Sequence, residues 1–230
     1  MKEENKTVTR KLVVNFDKTR LHSSITLHMR RMRLPMNMIG TDLLKGVIFA
    51  VMRHPEITTD EAVGKAIDAS KVPGSNMTLE EGYGYIMDSL EVSAGSDFLY
   101  DNRTHEFEEE TVRKVIDNFI SELTKEFCYG ITVITLEKNL KDYRKYTVGG
   151  DIVKCMLFKK LYAPQLTFEC MLDYAARKVG AEVNDEEKPL TEEAIMTYVG
   201  PFIENSSSDA RKALENLIAK LESIAYNCKA

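Results

Sequence analysis

The side chains that titrate nearest neutrality are four histidines, His22, His28, His54 and His105, which could act as general bases or metal ligands. None stands in an HExxH pattern or has a carboxylate at ligand spacing on the same expected helix face, so no metal site is expected from them. The cysteines Cys128, Cys155, Cys170 and Cys228 lack CxxC spacing, which removes the usual zinc and redox signatures and leaves reduced thiols as the expectation. A Walker loop would need glycines, a lysine and a hydroxyl converging on phosphates, and neither that run nor the Rossmann glycine fingerprint occurs. A serine-hydrolase elbow needs a glycine on each side of its serine, and Gly74-Ser75 and Gly95-Ser96 each lack the second. The run Glu108-Glu109-Glu110 has a sufficient structural role, because carboxylates at a helix start complement the macrodipole. The residues therefore predict a non-enzyme without a cofactor.

The elements that would carry any other function belong to a chain of 230 residues, 43% hydrophobic and 29% charged, long enough for one sizeable core or two small ones. No apolar run reaches the length of a membrane span, and the polar stretch Met1 to Lys6 has no signal-peptide core, so a cytoplasmic protein is expected. The net charge of −5 argues against indiscriminate coating of nucleic acid. That average conceals two opposite regions. Arg10 to Arg53 holds nine basic residues against the two acids Asp17 and Asp42, whereas His54 to Glu110 holds fourteen acids against Lys65, Lys71 and Arg103. Such a bipolar front half could hold a polyanion on one face, or pair its two faces internally or with a symmetry mate.

Periodicity predicts a mainly α protein. Residues 7 to 16 are strand-like, and Ser23 to Leu34 form a short basic helix with Ile25, Met29 and Met32 at helical spacing, ended by Pro35. Leu43, Leu44, Val47, Ile48 and Val51 make an apolar stripe in a helix capped by Thr41 or Asp42. Thr58 with Glu61, and Thr78 with Glu81, match the capping box and start two helices flanking the turn Val72 to Asn76. The loop-like segment 93 to 105 is the expected boundary between a module of residues 1–100 and a helical domain of residues 106–230. In the second part a long helix runs from about Glu108 to Phe127, and β-branched Gly130 to Leu136 predicts one short strand or hairpin, with Gly149-Gly150 as a turn or bulge. Helices follow over Asp151 to Tyr162, Thr167 to Val179, Thr191 to Ile203 and Ser208 to Tyr226. In the last of these the stripe containing Leu214, Leu217 and Leu221 docks on its own core or forms a dimer interface.

The stretch Ser24-Ile25-Thr26, Leu34-Pro35, Gly40 and Leu43-Leu44-Lys45 resembles the opening of the carboxy-terminal effector domain of the sporulation response regulators of spore-forming bacteria. The likeness covers roughly residues 20 to 92 and continues through a helix-turn-helix whose second helix would be Thr78 to Glu91. It implies an all-helical module whose second helix enters the major groove of double-stranded DNA. The family's recognition helix carries arginines, which can bind guanine bidentately, but the matching positions here are Glu81, Gly84 and Met87. Acidic Glu80, Glu81 and Asp88 would repel phosphate from that helix. The expected DNA contacts therefore move to Arg10, Lys11, Arg20, Arg30, Arg31 and Arg33, making the chain a DNA-binding transcriptional regulator-like protein. The competing expectation is a protein-protein adaptor or assembly protein, with Tyr83 and Tyr85 on its contact surface and a homo-oligomer built by the back half.

Overall fold

The computed structural model describes residues 18–54, 56–70, 76–93, 109–183, 188–203 and 209–227. Its described residues form nine α-helices and one 3-10 turn, with no strand among them. The expected strand over residues 7–16 and the loop over 94–105 lie outside the described residues. The described residues divide into two compact units, one up to Thr124 and the other from Lys125 onward.

The amino-terminal unit contains α1 (Lys18–Arg31), α2 (Ile39–Arg53), α3 (Thr59–Ser70), α4 (Leu79–Ser93) and the first half of α5 (Glu109–Asn139). α1 buries Leu21, Ile25 and Met29 at a four-residue spacing. Met32, expected on that stripe, is instead 43% exposed, because the chain leaves the helix there. Arg33 takes φ 61°, its amide bonds to the Arg30 carbonyl at 3.0 Å, and the Leu34 amide reaches back to the Met29 carbonyl at 3.1 Å. This is a Schellman ending with arginine in the place glycine usually fills, and it returns Leu34 to the core beside Met29. α2 starts at Ile39 rather than at a Thr41 or Asp42 cap. Thr41 lies inside the helix, buried, donating to the Pro35 carbonyl at 2.8 Å and so fixing the turn ahead of it.

Both capping boxes form as the Thr-x-x-Glu spacing predicts. The Thr58 and Thr78 amides donate to the Glu61 and Glu81 carboxylates at 2.8 and 2.7 Å, and the two threonine hydroxyls accept the return bonds at 3.2 Å. α2 packs on both α3 and α4 through small residues. A Cβ on Gly40 would lie 1.6 Å from the Tyr85 carbonyl oxygen, and one on Gly46 would lie 3.0 Å from the Ala66 methyl.

The carboxy-terminal unit contains the second half of α5, α6 (Thr147–Tyr162), α7 (Phe168–Val183), α8 (Glu192–Val199), the 3-10 turn Gly200–Phe202 and α9 (Ala210–Asn227). α5 continues unbroken through the segment expected as a strand or hairpin, residues 130–136. The β-branched residues there carry a helical burial pattern: Phe127, Cys128, Ile131, Thr132, Thr135 and Leu136 are buried as adjacent pairs that recur every four residues. Thr132 returns its hydroxyl to the Cys128 carbonyl at 2.7 Å, which lets a polar residue sit on the buried face. Packing thus overrides the strand propensity of this run.

The Gly149-Gly150 pair is also helical rather than a turn. Both residues lie buried in the first turn of α6, where a Cβ on Gly149 would meet the Tyr198 carbonyl oxygen at 2.1 Å. α6 packs against α7, α8 and α9 and buries Ile152, Val153, Met156, Leu157 and Leu161 around more than one side, as a central helix should. α7 continues past Gly180, whose missing side chain admits the backbone of Lys188 to Leu190.

Two glycines of the amino-terminal unit give opposite expectations for stability. A Cβ on Gly84 of α4 would meet nothing within 4 Å, so Gly84→Ala should gain about 0.5 to 1 kcal/mol in urea unfolding. Gly40→Ala in α2 would drive a methyl into the α4 backbone and should lose about 1 to 3 kcal/mol or more in the same measurement.

Candidate functional site

One polar group of the amino-terminal unit joins three helices. Tyr83 of α4 donates its phenol to Asp60 Oδ1 at the start of α3, and Arg113 of α5 grips the same carboxylate through Nε at 3.1 Å and Nη2 at 2.9 and 3.1 Å. The guanidinium also lies 5.5 Å from the Tyr83 ring centre. The Tyr83 hydrogen bond and the Arg113 fork hold the Asp60 carboxyl below its ordinary range. Burial and the adjacent carboxylate push the Tyr83 phenol up. Both shifts lead away from neutrality, so neither group is poised as a general base or nucleophile, and the cluster works as a brace. No sequence spacing announces it, since its members lie 23 and 53 residues apart.

Tyr83, expected on a contact surface, is instead in the core, 1% exposed. Its aromatic ring faces inward because Gly82, Tyr83, Ile86 and Ser89 form the buried face of α4. The opposite face carries Glu80, Glu81, Gly84, Tyr85 and Asp88, with Tyr85 42% exposed. α4 has acids in its first turn and no base in its last, and Asp88 lies beyond the reach of the favourable amino-terminal dipole. Met87, at a position where the resemblance expects a base reader, is half-buried.

The basic side chains gather elsewhere. Arg30, Arg31 and Arg33 are exposed at the carboxyl end of α1, where cations also complement the helix dipole. Arg30 shares a surface cleft of about 430 Å³ with Lys45 of α2, and His22, Ser23, Thr26 and Leu27 complete its walls. Among the described residues no carboxylate lines this cleft. His22 stacks on Phe49 of α2 with ring centres 4.1 Å apart, and Thr26 donates to the His22 carbonyl at 2.8 Å, so the two walls are held in register. Sequence reasoning misses Lys45, because it stands on the half-buried side of an apolar helix. Arg10 and Lys11 lie outside the described residues, and Arg20 lies in α1.

In the carboxy-terminal unit Leu214 and Leu221 are buried in the core of their own unit, and Leu217 is half-buried along a groove of about 450 Å³ with Pro201, Phe202 and Ile224. Burial pushes the Cys128 thiol up to about 12 and the Cys155 thiol up to about 11, which keeps both protonated and unreactive. Among the described residues no three histidine, cysteine or acidic side chains gather to hold a metal ion, and no helix is long and apolar enough to cross a membrane. The chain matches no family model, no curated protein and no solved structure.

The lowered Asp60 pKa fixes the sign of a pH dependence. Its stabilisation is present above the unfolded value near 3.8 and is lost as pH falls through the still lower folded value. Asp60→Asn should therefore be less stable than the parent at about pH 7, and the gap should narrow as the pH falls below the unfolded value near 3.8, in urea melts across that range. Tyr83→Phe should cost about 1 to 2 kcal/mol at neutral pH.

Proposed function

We propose that the amino-terminal unit is a DNA-binding module of a regulator-like protein, gripping phosphates along the basic face of α1 and α2. The observation that carries this reading is the cluster of Arg30, Arg31, Arg33 and Lys45, with Arg30 and Lys45 opening on one cleft that no carboxylate lines among the described residues. In this reading α3 and α4 are a helix-turn-helix in which α4 has given up base recognition, since its outer face offers carboxylates where a groove-reading helix offers arginine. Arginines on a helix end position a duplex without reading it, so binding is strong at low salt and modest in sequence preference. On the same reading the protein works in the cytoplasm with its cysteines reduced.

The second reading, a protein-protein adaptor, is favoured by the acidic outer face of α4 with its exposed Tyr85. The two readings use different faces of one unit, so fluorescence anisotropy with labelled duplexes separates them. Replacing Arg30, Arg31 and Arg33 by alanine should weaken binding at least about tenfold near physiological salt. The same change should flatten the salt dependence by about one unit of slope for each phosphate no longer gripped. Neutralising α4 with Glu80→Gln and Asp88→Asn should leave binding unchanged or tighten it. Unchanged affinity in the triple-alanine variant contradicts the DNA reading.

Arg33 gives a second, independent check. At φ 61° an arginine is strained, so Arg33→Gly should raise stability by about 1 kcal/mol while weakening DNA binding. A fall in both together would mean that the arginine is there for the fold alone.

A further inference from the structure

The amino-terminal unit exposes two helix faces that are complementary to each other in charge and in apolar content. On α1, Arg30 and Arg31 stand one turn from Leu27, which is 51% exposed, Arg33 follows the helix end, and no acid occurs anywhere between Lys18 and Arg31. On α4, Glu81 and Asp88 stand about one turn before and after Tyr85, which is 42% exposed, Glu80 lies further round the exposed side, and no base occurs anywhere between Leu79 and Ser93. The macrodipole accounts for Glu80 and Glu81 at the start of one helix and for Arg30 and Arg31 at the end of the other. It does not account for Asp88 past the middle of α4, nor for a large apolar side chain left exposed on each charged face. Leu27 and Tyr85 are exposed in the same molecule, so the two faces are not apposed within it.

We propose that the acidic face of α4 docks on the basic face of α1 in a second copy of this chain, Tyr85 against Leu27, with the carboxylates standing where DNA phosphates would otherwise lie. A two-fold pairing of like faces would oppose like charges, so each contact sets α4 of one copy on α1 of another, either reciprocally in a closed pair or head-to-tail in an open row. Association then grows with protein concentration and weakens with salt. Docking rests only on the two faces. The further consequence, that duplex DNA and a second copy compete for Arg30, Arg31 and Arg33, rests on the DNA reading above and would make self-association a brake on DNA binding.

Sedimentation of the full-length chain at low salt tests this with two neutralised variants, Arg30→Gln with Arg31→Gln, and Glu80→Gln with Asp88→Asn, each checked for an unaltered thermal melt. The parent should show an average mass that climbs about twofold or more with concentration. Each variant alone should lose that climb, because each lacks one of the two faces. Mixed in equal amounts, the two variants retain one complete contact between them, and together they should form a species one copy larger than either gives alone and stop there. A parent whose mass does not depend on concentration, an association that the variants leave unchanged, or a mixture that stays apart overturns the docking. Adding a short duplex to the associated parent separates the two claims. Disassembly supports competition for the arginines, and an assembly that duplex leaves intact keeps the docking while refuting the DNA reading.

Discussion

The amino-terminal unit depends on how closely α2 can approach α4. At Gly40 the two backbones meet with no room for a side chain, since a Cβ there would fall 1.6 Å from the Tyr85 carbonyl oxygen and 2.5 Å from Ser89 Oγ. A second small residue, Gly82, lets α4 settle on Val63 and Ile67 of α3. These approaches fix the rotation of α4 about its own axis, and rotation decides which residues see solvent. Once Gly82, Tyr83, Ile86 and Ser89 point inward, helical geometry leaves Glu80, Glu81, Tyr85 and Asp88 outside. The Asp60, Tyr83 and Arg113 brace then ties the oriented helix to α3 and α5, so the acidic face is a consequence of packing as much as of composition.

The basic face arises by a parallel route on α1. Leu21, Ile25 and Met29 fix which side is buried, and the left-handed residue Arg33 folds Leu34 back onto the core. Arg30, Arg31 and Arg33 are what remains outside. The strain of an arginine in that conformation, of order 1 kcal/mol, is borne at a position where glycine is the ordinary solution. On the DNA-binding reading proposed above, the charge kept there at the expense of stability serves phosphate contact. In the carboxy-terminal unit charged groups interlock, as where Arg211 bridges Glu169 at 2.9 Å and Glu192 at 3.1 Å.

Local signals are the legible ones. The helix starts at Thr58 and Thr78 can be read because the two halves of each capping box lie three residues apart, and the bonds form as that spacing demands. The apolar stripe of α2 is equally plain, and Leu43, Leu44, Val47, Ile48 and Val51 are all buried. Features decided by partners distant in sequence are the ones that mislead. Ile131 to Leu136 looks like a strand residue by residue, but its burial repeats at three and four, and the threonines on that repeat disguise it. Gly149-Gly150 resembles a turn until Tyr198 is known to lie against it. Tyr83 and Tyr85 are indistinguishable as sequence, each flanking the same glycine, yet one is in the core and the other on the surface. The basic residues can be counted from the chain, but the cleft that joins Arg30 to Lys45 requires the packing of α1 on α2.

The DNA-binding reading of the amino-terminal unit turns on whether its basic α1 face meets duplex. Backbone amide chemical shifts recorded while a short duplex is titrated into the labelled protein would decide it residue by residue. Perturbations should concentrate between Ser23 and Arg33 and at Lys45, and Leu79 to Ser93 should stay silent. Shifts centred on α4, or none at any ratio of duplex at low salt, would contradict the assignment of the basic α1 face as the nucleic-acid surface.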